Sequence, residues 1–127
     1  DTVLFAALVR GAVMTALDDE RRGDLVLPLT SYALKAAYWK SARDGLDGSG
    51  VDLENHGAAP MRDLLAALVE RVRPALETAG DYEFVTTGLA AVAERGNGAM
   101  RQQQAWRRRH DVADVLDEAA VATLETS

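Results

Sequence analysis

The order of apolar and polar positions divides the chain into helices separated by short breaks. From Thr2 to Leu17 the apolar residues Val3, Leu4, Phe5, Leu8, Val9, Val13, Met14 and Leu17 fall on every side of a helical projection. A helix that is apolar all round is normally buried all round, and 127 residues leave little material to surround one. The pattern points to a neighbour outside the chain. Asp18 to Asp24 is charged and reads as a connector. Pro28, Thr30 and Ser31 then give a helix start, with either hydroxyl able to cap. The helix predicted from Ser31 to Arg43 sets Tyr32, Ala36, Trp39 and Arg43 on one face, with Trp39 in the core. Gly45, Gly48 and Gly50 end it. Asp44 to Pro60 is loop-like, and Gly50–Leu53 with Gly57–Ala59 can pair as a short β-hairpin.

The clearest periodicity follows. Met61, Leu64, Leu65, Leu68, Val69, Val72 and Leu76 keep the i, i+3, i+4, i+7 spacing of an amphipathic helix. Pro74 should kink this helix late in its course, because proline lacks an N–H and crowds the preceding turn. Gly80 suits a C-terminal cap and Asp81 an N-terminal one for the next helix. That helix, about Asp81 to Arg95, carries Tyr82, Val85, Leu89 and Val92 as its buried stripe. Gly96-Asn97-Gly98 breaks the chain sharply. A fifth helix spans about Ala99 to Arg109, and Asp111 caps a sixth with Val112, Val115, Leu116 and Ala119 facing inward. The expected fold is mainly α, about six helices with a short β-hairpin near 50–59, in one helical domain over 1–127.

Composition narrows the class. Apolar residues make up 48% and charged residues 27%, which fits a folded globular chain and not a disordered one. The net charge of −6 argues against a dedicated nucleic-acid binder, which carries a basic excess. No cysteine is present, so disulfide and thiolate chemistry are excluded, and the expected location is the reducing cytoplasm. His56 and His110 are too few and too far apart in sequence for a metal signature. Arg10 and Gly11 interrupt the first apolar stretch, which is shorter than a membrane span, and no signal peptide is recognisable. A start at Asp1 reads as the middle of something larger, and Glu125-Thr126-Ser127 as a chain end.

No complete catalytic constellation is visible: a Ser/His/Asp set, a Cys/His pair and a Walker phosphate loop are all missing from the sequence. Arg101 to His110 is the one basic stretch. Arginine forks bind phosphate and Trp106 could stack a base, but cations at a helix C-terminus also simply complement its dipole, which is the preferred reading. Gly96-Asn97-Gly98 ahead of a helix could present N–H groups to an anion or be only a turn. Lys40 and Arg43, just before a glycine-rich loop, are either surface charges or ligands.

These residues also carry a resemblance. Tyr38-Trp39-Lys40-Ser41-Ala42-Arg43-Asp44-Gly45-Leu46-Asp47-Gly48 resembles the W-R-A-A-R-x-G-L-x-G segment of the type 2 glutamate–cysteine ligases, or YbdK-like carboxylate–amine ligases. Val51-Asp52, Ala59-Pro60 with the Leu-rich helix, and Glu94-Arg95-Gly96-Asn97-Gly98-Ala99-Met100-Arg101-Gln102 resemble that family's following elements, in order, across roughly Leu29 to Leu124. Lys40 and Gln103 stand where the family commonly has arginine, and Ala36 and Ala37 where some members have asparagine.

The resemblance implies the helical C-terminal portion of a larger ligase catalytic domain with a glutamine-synthetase-like fold. It implies ATP and magnesium as cofactors of the parent enzyme, none being expected for this chain alone. ATP would phosphorylate a carboxylate and an amine would attack the acyl phosphate. Arg43 is the first candidate for binding substrate or nucleotide, with Lys40 beside it, then Arg101 with Gly96 and Gly98. No metal ligand is expected here, and the chain alone should not be catalytic. The expected partner is the rest of the ligase domain, or a self-association partner, through residues 2–17, with no nucleic acid and no membrane. The alternative function is a helical interaction module docking through its apolar first helix.

Overall fold

The computed structural model describes residues 2–24, 28–53, 55 and 57–124. Asp1, His56 and the Glu125–Ser127 tail, which figure in the readings above, lie outside the described residues. Among those described, the elements are α1 (Thr2–Arg22), α2 (Ser31–Asp44), β1 (Ser49–Asp52), β2 (Gly57–Pro60), α3 (Met61–Ala79), α4 (Tyr82–Arg95), α5 (Gly98–Arg109) and α6 (Val112–Leu124). This is the mainly α class with a short hairpin that the periodicity predicts. The chain divides into two units, Leu8–Gly80 and Asp1–Ala7 with Asp81–Ser127.

In the unit Leu8–Gly80, α1 runs on past Leu17. The expected connector is instead its last turns, because Arg21 pairs with Asp18 at 3.0 Å and Arg22 with Asp19 at 2.8 Å. Both pairs are spaced i, i+3, which a helix brings together, and both arginines sit where the helix dipole favours cations. Asp19 is buried and also accepts from Arg71 at 2.9 Å, tying α1 to α3. Gly11 packs where a side chain would not fit: a Cβ there would lie 2.8 Å from Leu76 Cδ2.

Thr30 supplies the cap of α2, its Oγ1 accepting from Ala33 N at 3.2 Å. The helix packs against β1, and its partly covered residues are Ala33, Ala37, Lys40 and Asp44. Trp39, expected in the core, is instead 61% exposed, because the covered side of α2 is the one that carries these four residues.

The two strands pair antiparallel, Gly50 opposite Ala59 and Val51 opposite Ala58. They pack on α3. Gly50 is buried there, and a Cβ on it would come within 2.5 Å of Leu64 Cδ1. Helix α3 is continuous through Pro74 and buries Val69, Val72, Ala75 and Leu76. Leu68, expected on that stripe, is exposed. Gly80 ends the helix in the left-handed conformation, φ 75°, as a C-cap glycine does.

In the other unit, α4 buries Val85 and Val92 with Tyr82 and Leu89 half covered, the predicted stripe. Asp81 makes no side-chain capping bond and has αR backbone angles, so it does not cap as expected. Leu4 of α1 sits against Gly88, whose Cβ position is 3.0 Å from Leu4 Cδ1. Helices α5 and α6 pack together. Asp111 Oδ1 accepts from Ala113 N at 2.9 Å, as a cap should. Val112 and Leu116, expected inside, are exposed; the covered face of α6 carries Asp114, Val115, Glu118, Ala119 and Ala122. Arg109 grips Asp114 through two nitrogens. An ion pair therefore takes part of the surface that periodicity assigned to apolar side chains.

Candidate functional site

The sequence-predicted site residues fall in both units. At the end of α2, Asp44 gathers the charges. Arg43 Nε donates to Asp44 Oδ1 at 2.5 Å and Arg43 Nη2 to Oδ2 at 3.1 Å. Lys40 Nζ donates to the same Oδ2 at 3.0 Å. The Arg43 guanidinium also lies over the Trp39 ring, 4.5 Å from its centre, a cation–π contact. The hydrogen bonds from Arg43, and then from Lys40, hold the Asp44 carboxyl well below the usual carboxylate range. Arg43 is correspondingly raised by its hydrogen bond to Asp44. An anion approaching Arg43 would have to compete with a carboxylate already bound bidentately.

The second cluster is built on the α4–α5 junction. Gly96 has φ 80°, a conformation that favours glycine, and it donates its N–H to Val92 O at 2.9 Å, closing α4. That N–H is therefore spent on the helix end. Asn97 caps α5, its Oδ1 accepting from Met100 N at 2.9 Å, while Arg101 N donates to Asn97 O at 3.1 Å. Of the first-turn donors of α5, those of Gly98 and Ala99 are left without an intrahelical acceptor.

Gly98 and Arg101 open onto a half-enclosed cleft of about 790 Å³, whose wall also includes Phe84, Arg95, Gln102 and Glu118. Arg101 is half-buried, and its Nε is shielded from water with no hydrogen-bond partner. A buried, unsatisfied N–H on a cation is costly. The wall combines apolar and polar side chains.

The rest of the basic run behaves as a helix end. Arg107, Arg108 and Arg109 occupy the last turn of α5, Arg109 is held by Asp114, and Trp106 meets His110 edge-on at 5.4 Å. Sequence reasoning missed Asp44, Asn97 and the Phe84–Glu118 wall. Asp44 was discoverable, since it lies four residues after Lys40, the spacing that pairs charges on a helix. The wall was not, because it joins residues distant in sequence.

Over 98% of its length the chain is 73% identical to "Putative glutamate–cysteine ligase 2-2" of Mycolicibacterium vanbaalenii. The chain is a portion of the glutamate–cysteine ligase type 2 family. It is 60% identical to the "2-3" protein of that name in Mycolicibacterium smegmatis and 47% identical to the "2-1" protein in Nocardia farcinica, again over 98% of its length. This ligase-family chain spans about a third of the length of the curated relatives it matches, 34% in the first case. No protein-family model matches it. No solved structure matches it either. No helix among the described residues is long and apolar enough to cross a membrane.

Proposed function

We propose that the chain is the helical C-terminal portion of an ATP-dependent carboxylate–amine ligase that joins glutamate to cysteine, part of a glutamine-synthetase-like catalytic domain built mostly by residues outside it. The observation that carries this reading is the 73% identity to a relative bearing that ligase name. In the reaction, the γ-phosphoryl group of ATP passes to a carboxylate, giving ADP and an acyl phosphate. The amine then attacks the acyl carbon and phosphate leaves, forming the amide.

Such phosphoryl transfers depend chiefly on positioning and on stabilising charge. The Gly98–Arg101 turn suits that task. Arg101 lines the cleft, and the α5 N-terminus adds partial positive charge. Arg43 and Lys40 rank behind Arg101, because Asp44 already engages both. Among the described residues no three acidic, histidine or cysteine side chains gather to hold a metal ion.

The test is a graft of the 127-residue chain in place of the matching segment of the Mycolicibacterium vanbaalenii relative, assayed with glutamate, cysteine and ATP. Amide formation by the graft, and neither amide formation nor ATP hydrolysis by the isolated chain, is expected. A folded but inactive graft of an active host would contradict the reading.

A further inference from the structure

Helix α1 in the unit Leu8–Gly80 has two apolar sides and only one is covered. Gly11 faces Val72 and Leu76 of α3. At about 100° per residue, Val9 and Val13 lie about 160–200° round the helix from Gly11, with Leu17 adjoining them. These three are 45%, 53% and 47% exposed. No charged residue occurs between Arg10 and Asp18, and Arg10 borders the ridge about 60° round the helix from Val13. A solvent-facing helix side is normally polar. Adjoining exposed apolar side chains on one helix side are a feature of contact surfaces.

We infer that the Val9–Val13–Leu17 ridge is a docking surface, and that its occupant is the two-thirds of the ligase polypeptide that this chain does not contain. The inference rests on the ligase reading above. One fact selects this occupant. The relatives that align over 98% of this chain extend to about three times its length, so further polypeptide accompanies the same helix in them. On this account α1 is a central helix of the ligase domain, held on one side by α3 and covered on the other by the remaining chain.

The sequence has no cysteine, so Val13→Cys introduces a single thiol into the isolated chain. Its alkylation is followed by mass spectrometry of the peptide spanning position 13, first in the isolated 127-residue chain and then in the graft into the Mycolicibacterium vanbaalenii relative. Each rate is normalised to the rate in urea. In the isolated chain the introduced thiol should react at nearly the unfolded rate, and in the graft about a hundredfold more slowly. Leu17→Cys repeats the measurement at the next turn should Val13→Cys disturb folding. Equal rates in chain and graft would overturn the inference. So would protection in the isolated chain accompanied by sedimentation as a dimer, which would make a second copy the occupant. Turnover of the same graft separates the two readings. An active graft in which the introduced thiol stays open removes the docking surface and leaves the ligase reading standing. A protected thiol in an inactive graft supports docking and counts against the ligase reading.

Discussion

Asp44 shows how a single side chain alters the reading of its neighbours. Lys40 and Arg43 look like free cations beside a glycine-rich loop, yet both donate to one carboxylate. The linkage sign is that of a depressed acid. Its stabilising contribution is complete above the ordinary carboxylate pKa and is lost as pH falls through the lower folded value. An NMR titration of the Asp44 carboxyl carbon should therefore give a midpoint well below the usual range. Arg43→Ala should move that midpoint up, and by more than Lys40→Ala does, because Arg43 is the larger cause. The reverse order would show that the bidentate contact is not kept in solution.

At the scale of elements, close contacts and caps set how the helices lie. Gly11→Val would push a branched side chain into Leu76, which is fully buried, and overpacking of this kind costs about 1–3 kcal/mol. The urea midpoint should fall, and an unchanged midpoint would mean that α1 does not seat on α3 at Gly11. Asn97→Ala removes the cap of α5 and should cost about 1 kcal/mol, with Asn97→Asp close to neutral because both side chains cap well. Equal losses in the two variants would assign Asn97 a role other than capping.

Helices α3 and α4 could be read from the sequence because their apolar spacing is strong and their boundaries carry glycine or proline, whereas the hairpin showed only as a possible pairing within a loop-like stretch. The end of α1 could not, since its charges pair along the helix and one of them, Asp19, is held by Arg71 fifty-two residues away. Trp39 of α2 and Val112 and Leu116 of α6 do not face inward for a related reason. Periodicity gives the spacing of a face, but neighbours decide which face is covered. In α2 the small Ala33 and Ala37 are partly covered while Trp39 is exposed, and in α6 the ion-paired Asp114 is covered while Leu116 is exposed. Of the candidate site, the Gly96–Arg101 turn was legible as a motif, and the cleft it borders required the fold.

For the whole molecule, the exposed apolar ridge of α1 and the cleft lined by Arg101 are in keeping with the one-third share of the relatives' length that the chain spans. On the proposed reading this portion lends Arg101 to an active site completed elsewhere. The most direct measurement is amide-forming turnover of the active graft carrying Arg101→Ala, with circular dichroism to confirm that the fold is kept. Loss of one preorganised charge-stabilising donor should lower turnover by about 10²–10³-fold, with Arg101→Lys recovering part of it. Turnover equal to that of the unsubstituted graft, in a folded variant, would contradict the account.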